Sequence, residues 1–262
     1  MNISFHGAAQ TVTGSKHILH LQNGKKILLD CGMFQGLGKD TLRLNQEWGF
    51  DPSSISLVLL SHAHIDHSGL LPKLVKDGFK GSIYCTTATA DLVKLMLIDS
   101  AHIQENDVKH INKRRLRDDR PLVEPLYTSE DAEKVFELLV PVQYNELLKV
   151  DDQISVIFSD CGHILGSAAI NIRIQEEGRV KTICFSGDVG RYRDMILRAP
   201  EVFPQADYII MESTYGNKLH EEHIPSVERF LDMLNDTCLK RKGKLIISAF
   251  TIGRAQELLY LL

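Results

Sequence analysis

The sequence lacks any run of apolar residues long enough to cross a membrane, and its first residues lack the basic and apolar regions of a secretory signal peptide. It also lacks an excess of basic charge. The formal net charge of −4 lowers the expectation of a nonspecific nucleic-acid binder without excluding a local basic groove. No repeats or low-complexity linkers occur. With 44% hydrophobic and 24% charged residues, the composition is that of an ordinary globular protein.

Cysteine pairs with redox or metal-binding spacing are missing too. The five cysteines are odd in number, none belongs to a CxxC pair, and each adjoins an apolar stretch. This pattern predicts reduced, buried thiols in a cytoplasmic protein. A different role stays open only for Cys31 and Cys161, which neighbour candidate site residues.

Short apolar and β-branched runs, bounded by Gly, Asp and Asn, predict strands. They lie at residues 16–21, 26–29, 56–60, 82–85, 154–158, 168–174, 181–185, 208–211 and 244–248. Helical spacing predicts helices at residues 70–76, 89–100, 129–140 and 225–240, and another begins near residue 253. The first strands are joined by tight turns, with a hairpin signal at residues 22–25, whereas helices separate the later ones. This mixture predicts an α/β protein in which two packed sheets have helices outside, an αββα sandwich.

The densest cluster of polar side chains follows the apolar run at residues 55–60. It contains His62, His64, Asp66 and His67, three imidazoles and a carboxylate within six residues. Gathering such groups beside a core is costly unless a cation holds them together. Imidazole nitrogen with carboxylate oxygen is a ligand mixture that suits zinc. We therefore expect a metal centre here.

Three more polar residues end apolar strands in glycine-containing turns: Asp30, His163 and Asp188. Such strand ends are typical of an active-site rim. We expect His163 to complete a three-nitrogen site with His62 and His64.

A second site would begin with Asp66 and His67, and Asp188 would bridge the two ions with one oxygen to each. Two divalent ions so held acidify a shared water and stabilise a developing oxyanion. Asp30 is better placed as an acceptor that orients the histidine loop than as a ligand.

These residues resemble the metallo-β-lactamase superfamily, whose HxHxDH signature is matched at residues 62–67. His163 and Asp188 match its third and fourth motifs. The ESTYG segment at residues 212–216 and the SAFTIGRAQE segment at 248–257 are similar to the β-CASP nuclease branch, which includes the endonuclease subunit of the pre-mRNA cleavage and polyadenylation machinery. Residues 7–15, 30–36 and 125–128 are familiar from its bacterial and archaeal members.

The resemblance implies a metallo-β-lactamase domain at residues 1–215 and the start of an inserted β-CASP domain at residues 216–262. It implies two Zn²⁺ ions and hydrolysis of RNA phosphodiesters by a metal-bridging hydroxide, with single-stranded RNA as substrate. Glu212 would assist proton transfer together with a histidine beyond residue 262. With the orienting residue Asp30 and the ligand Asp66, it makes up the set of predicted catalytic residues. The uncapped apolar end of the sequence agrees with a chain that continues further.

Other interpretations stay open. The same ligands would serve a hydrolase of a small thioester, ester or lactam, and a noncatalytic scaffold is a further alternative. An iron oxidoreductase is disfavoured because such members of the superfamily carry a carboxylate at the position of His64. The basic residues 109–120 are either a solvated helix face or a phosphate-contacting rim beside the site. The chain gives no substrate-binding residue, and a homodimer is one possible assembly.

Overall fold

The computed structural model describes residues 1–218, 226–249 and 252–262. In that part of the chain the strands form two sheets. The first contains, in spatial order, β1 (Asn2–Phe5), β2 (His17–His20), β3 (Lys26–Leu29), β4 (Leu57–Leu59), β5 (Ser82–Thr86) and β6 (Leu139–Val142). The second contains β7 (Leu148–Lys149), β8 (Ile154–Asp160), β9 (Ala168–Glu176), β10 (Arg179–Phe185) and β11 (Tyr208–Ile210), which follow one another in space in chain order.

The helices are α1 (Asp40–Gln46), α2 (Ile65–Ser68), α3 (Leu71–Lys76), α4 (Thr87–Arg117), α5 (Ser129–Phe136), α6 (Ser226–Leu234) and α7 (Arg254–Tyr260). A 3₁₀ turn occupies Pro52–Ser54, and a π-helical stretch, Asn235–Lys240, continues α6. No helix among the described residues combines the length and the apolar character that a membrane span requires.

Side-chain alternation along the first sheet creates its two cores. Successive residues of a strand point to opposite faces. Leu57 and Leu59 therefore pack between the sheets with Phe158 and Ile170 of the second sheet, whereas Val58 packs on the other side. There it joins apolar residues of α3, α4 and α5. The result is a layer of helices on the first sheet, whose other face packs on the second sheet, which matches three of the four predicted layers. On the outer face of the second sheet the described residues that pack, Phe203 and Ala206, are not helical.

Strand direction changes within the first sheet. β1, β2 and β3 are antiparallel, with the predicted hairpin between β2 and β3, and β3 to β6 are parallel. The carboxyl ends of β3 and β4 therefore meet at one edge of the sandwich, where β8, β10 and β11 of the second sheet also end.

The predicted helix at residues 129–140 is too long. Thr128 opens α5 with a capping box to Asp131, but the helix ends at Phe136. Leu139 and Val140 instead pair with β5 as part of β6. Pairing to a sheet edge outweighed the local helical pattern there.

The predicted strand at residues 244–248 is also wrong. This segment is irregular, and no strand lies beside it in the described part of the chain. An isolated apolar run has no ladder to satisfy its backbone groups, and Ile246 is 93% exposed. Of the predicted helix at 225–240, residues 226–240 are helical, and position 225 lies outside the described residues.

Helix α4 extends well past its predicted end at residue 100. Thr86 caps its start by accepting a hydrogen bond from the Thr89 amide, and no Gly or Pro interrupts the sequence before Arg117. Residues 109–117 are thus its last turns. At about 1.5 Å per residue, Lys113 lies about 36 Å along the helix from Thr89. Thr89 itself lies close to the predicted site, because its hydroxyl donates to the Gly166 carbonyl in the turn that carries His163. The basic segment is therefore too far away to form a rim beside the site, and that interpretation is wrong.

Candidate metal centre

The predicted site residues converge at the edge of the sandwich where the strands end. Asp30 follows β3, and the segment from Ser61 to His67 follows β4. His163 lies in the turn after β8, and Asp188 in the turn after β10. Segments that are distant in sequence thus contribute to one cluster.

Three imidazoles of the cluster point their nitrogens at one location. The Nδ1 atom of His64 lies 3.1 Å from Nε2 of His62 and 3.2 Å from Nε2 of His163. The Oδ2 atom of Asp188 lies 3.4 Å from Nε2 of His163 and 3.9 Å from Nε2 of His62. Each of these four residues offers one ligand atom, and all four atoms lie within 4.8 Å of one another.

The other oxygen of Asp188 faces a second group. Its Oδ1 lies 3.3 Å from Nε2 of His67, and Oδ2 of Asp66 lies 3.9 Å from the same nitrogen. Asp188 therefore stands between the three-histidine group and the Asp66–His67 pair, with one oxygen towards each.

Asp30 lies behind His67, away from the converging nitrogens. It is fully buried and its Oδ2 lies 2.6 Å from Nδ1 of His67. It also accepts hydrogen bonds from the amide and hydroxyl of Ser61, at 2.8 and 2.9 Å. Its φ of 56° is left-handed, a conformation that Asp tolerates better than most residues. The carboxylate thereby fixes the ring so that Nε2 of His67 faces Asp188.

Several supporting groups were not predicted from the sequence. The Ser61 hydroxyl lies 3.0 Å from Nδ1 of His62, and the Ser167 hydroxyl accepts a bond from the His163 amide at 3.0 Å. The Nε2 atom of His64 lies 3.4 Å from the carbonyl oxygen of Ile252. Both serines flank predicted motifs, so their position in the sequence could have indicated a supporting role. The Ile252 contact joins residues 188 positions apart, and no sequence feature indicated it.

Burial and charge set the protonation of the ligand candidates. Burial lowers the pKa of His62 well below its ordinary value, with a further contribution from the neighbouring rings of His67 and His64. Burial likewise lowers the pKa of His163 to about 4. Both rings are therefore neutral near pH 7, the form in which imidazole binds a cation.

The Asp30–His67–Asp188 row behaves in the opposite way. Burial alone would lower the pKa of His67, but the charges of Asp30 and Asp188 outweigh it and hold that pKa well above its ordinary value. For Asp188, burial favours the neutral acid, yet the hydrogen bond and charge of His67 lower its pKa. The site thus keeps the Asp188 carboxylate ionised beside the His67 ring.

The donor set fits a tetrahedral cation. With Zn–N distances of about 2.0–2.1 Å, neighbouring ligands of a tetrahedral zinc ion are about 3.3 Å apart. The nitrogen–nitrogen distances of 3.1 and 3.2 Å and the 3.4 Å distance from His163 to Asp188 are close to this value, and the 3.9 Å distance from His62 to Asp188 is longer. The residues present therefore suit a divalent metal ion.

The two cysteines beside the site are structural. Cys31 and Cys161 are free and buried, and burial raises the pKa of each thiol to about 12. Cys161 donates a hydrogen bond to the backbone carbonyl of Asp188 at 3.2 Å, so it supports the turn without entering the ligand cluster.

The remaining histidines that the structure describes stay outside the cluster. His6 and His20 each contact the Ser4 hydroxyl, and His17 packs edge-on between Phe5 and Phe185. His102 and His110 lie on the exposed part of α4. Surface or structural roles were also predicted for His220 and His223, which lie outside the described residues.

Glu212 lies on the open side of the centre. Its Oε1 accepts a bond from the Val189 amide at 2.7 Å, so it braces the turn that carries Asp188. Glu212, Asp188 and His67 line the same cavity of about 390 Å³, which Phe5 also lines. The cluster of candidate metal ligands is therefore accessible to a substrate on the side of the Asp66–His67 pair.

The geometry agrees with the similarity to known proteins. The chain is 39% identical over its whole length to Ribonuclease TTHA0252 of Thermus thermophilus, and spans 54% of that relative. It is 35% identical to Cleavage and polyadenylation specificity factor 73 of Drosophila melanogaster, over 98% of this chain and 34% of the relative. The predicted resemblance is thus confirmed, although the chain spans only about a half and a third of these relatives.

A solved protein of unknown function from Enterococcus faecalis V583 shares the fold, with a TM-score of 0.50 at 17% identity over 90% of this chain and 57% of that one. The sequence model of the metallo-beta-lactamase superfamily domain matches residues 18–214. The predicted sandwich fold is thereby confirmed. Since this match covers far more than half of the 262 residues, the chain belongs to the metallo-β-lactamase superfamily.

Proposed function

We propose that this chain carries the metal centre of a zinc-dependent ribonuclease that hydrolyses phosphodiester bonds in single-stranded RNA. The observation that carries the proposal is the position of Asp188, one oxygen of which faces the three-histidine group while the other faces His67. A bridging carboxylate is what a pair of metal ions needs. The similarity to a named ribonuclease and to a cleavage and polyadenylation factor supports RNA as the substrate.

In this proposal His62, His64, His163 and Asp188 hold the first zinc ion, and Asp66, His67 and Asp188 begin the second site. When bound, the ions would acidify a shared water and offset the charge that develops on the phosphate. Imidazole and carboxylate in tetrahedral spacing favour zinc over harder cations.

The protein's own residues supply orientation and proton control. Asp30 holds the His67 ring by its Nδ1 atom, so that Nε2 points to the site. The Ser61 hydroxyl, which donates to Asp30, also contacts the His62 ring. Glu212 lines the cavity beside Asp188, which supports its proposed role in passing a proton to or from the substrate.

The proposal extends to the organisation and setting of the protein. Residues 1–215 form the metallo-β-lactamase domain, and residues 216–262 begin an inserted β-CASP domain. Five free thiols, four of them buried, support a reducing, cytoplasmic setting. A homodimer stays a prediction that light scattering would test.

The test is cleavage of an end-labelled single-stranded RNA by the zinc-loaded, full-length protein, with a glutathione thioester offered in parallel. We expect RNA cleavage that Asp66→Ala abolishes. Asp99→Ala removes an exposed carboxylate without an ion pair in the described structure and should leave cleavage unchanged.

Three results would overturn the proposal. Intact RNA together with hydrolysed thioester, with zinc confirmed as bound, would identify a small-molecule hydrolase. Cleavage that survives Asp66→Ala would mean that the reaction does not need the Asp66–His67 site, and hence does not need a pair of ions. Inertness towards both substrates would favour the scaffold.

A further inference from the structure

The second half of α4 lies outside the core of the protein. Ala101 is the last buried residue of this helix, and none of residues 102–117 is buried. The chain then returns along the helix, where the Asn112 side chain donates to the Val123 carbonyl at 2.9 Å and accepts from its amide at 3.0 Å. We call residues 102–123 the basic arm. These bonds keep the arm ordered although it contributes nothing to the core.

The arm concentrates positive charge in a chain whose net charge is −4. Six Lys or Arg residues and only two Asp lie in residues 109–120. Within the described structure none of the six forms an ion pair, whereas Lys73 and Lys134 on neighbouring helices do. Cations of the last turn complement the helix dipole, which accounts for Arg117 but not for Lys109, two turns earlier.

Three of these cations lie in one row. Lys109, Lys113 and Arg117 are spaced four residues apart, so they share one helix face at intervals of about 6 Å. All three are exposed. The Nε atom of Arg117 donates to the Lys113 carbonyl, which holds the guanidinium along the row. An evenly spaced row of cations is complementary to a chain of phosphates, and the guanidinium fork also suits phosphate geometry.

The row is far from the metal centre. The hydroxyls of Thr86 and Thr89 donate to the Gly166 carbonyl at 2.6 and 2.8 Å, so the start of α4 touches the turn that carries His163. Lys113 lies about 36 Å further along the helix. A stacked strand advances about 3.4 Å per nucleotide and would cover this distance in about ten nucleotides.

We propose that the basic arm binds the backbone of the RNA at a site separate from the metal centre, through the row Lys109, Lys113 and Arg117. This inference rests on the proposed function. The arm would hold a distant part of the strand whose scissile bond lies at the metal centre, and it would select substrates by length rather than by sequence, because phosphate contacts carry no base information.

The test compares the zinc-loaded, full-length protein with the triple variant Lys109→Gln, Lys113→Gln, Arg117→Gln. Glutamine keeps the helix propensity and removes only the charge. The matched control, Lys80→Gln, Arg173→Gln, Arg179→Gln, removes three exposed cations that form no ion pair in the described structure. The substrates are single-stranded RNAs of about twenty and about four nucleotides, since only the longer one spans the distance.

For the long RNA we expect the triple variant to lower kcat/KM about tenfold at low salt and to reduce the slope of log affinity against log salt by about 2. The triple variant should cleave the short RNA as well as the unmodified protein does. The control variant should cleave both RNAs as well as the unmodified protein does. Equal losses for both RNA lengths, or equal losses in the control, would overturn the inference while the proposed function stands. If the unmodified protein cleaves neither RNA, the proposed function itself fails.

Discussion

The Nδ1 atom of His67 lies 2.6 Å from the Oδ2 atom of Asp30, a carboxylate with no exposed surface. The same carboxylate accepts the Ser61 amide at 2.8 Å. Asp30 therefore joins the end of β3 to the histidine segment after β4. A group in this position acts on a metal site through the ligand that it orients, and loss of such a group commonly costs about 10- to 100-fold in metal affinity.

Asp30→Asn should therefore weaken zinc binding at the Asp66–His67 site about 10- to 100-fold. The amide has the same shape but lacks the charge that favours donation from the His67 ring. Titration with a competing chelator measures the affinity, and Asp99→Asn is the control on an exposed carboxylate. Unchanged affinity in Asp30→Asn would show that the carboxylate serves the fold alone.

Asp66→Ala should leave one zinc ion per chain instead of two. Asp66 belongs to the second group, where its Oδ2 lies 3.9 Å from Nε2 of His67. It is not one of the four residues whose ligand atoms converge on the first metal position. Elemental analysis after removal of loosely bound metal gives the stoichiometry. Retention of two ions would mean that Asp66 is not a ligand.

Much of this centre could be predicted because its parts share a local pattern. His62, Asp30 and Asp188 each follow a buried strand, and polar residues at such positions meet when strands end at one edge. The residues that support these side chains could not be predicted in the same way. The contact of His64 with the Ile252 carbonyl depends on how segments 188 residues apart pack together.

The wrong predictions have a common cause in tertiary context. Leu139 and Val140 continue a helical pattern, yet their backbone pairs with β5. Residues 244–248 have strand composition but no neighbouring strand in the described structure. The helical spacing of the sequence predicted an end of α4 at residue 100, whereas the helix continues to Arg117. The distance between the basic arm and the site became clear only from this full length.

Lys16 should make stability depend on pH in the alkaline range. The residue is 1% exposed, and its ammonium donates to the carbonyls of Gly14 and Gly32, at 3.1 and 2.7 Å. Burial lowers its pKa to about 8. Between about pH 8 and about 10.4 the unfolded chain keeps this proton while the folded one has released it. The free energy of unfolding should therefore rise with pH in this window.

The comparison is with Lys16→Met, which lacks the titrating group. The difference in unfolding free energy between the two proteins should change by up to about 1.4 kcal/mol per pH unit between about pH 8 and 10, in favour of the natural lysine. Urea denaturation at several pH values measures it. Parallel curves for the two proteins would contradict the prediction.

Gly32→Ala should damage the fold and the metal centre together. The backbone at Gly32 lies against that of Asp66, and a Cβ atom added there would sit 1.6 Å from the Asp66 carbonyl oxygen. The neighbouring bonds, from the Cys31 amide to the His67 carbonyl and from the Ser15 amide to the Asp66 carbonyl, leave this backbone little room to move. We expect a loss of about 3 kcal/mol in unfolding free energy.

Gly24→Ala is the matched control for this clash. Gly24 has a left-handed φ of 86° in the β2–β3 hairpin, with nothing within 4 Å of an added Cβ. Its substitution adds only backbone strain, about 1–2 kcal/mol, and should leave zinc affinity unchanged. Urea denaturation and zinc titration of both variants separate the effects. Equal costs with intact zinc binding in Gly32→Ala would mean that the strand end and the histidine segment are not rigidly joined, because a rigid junction has no room for the methyl group.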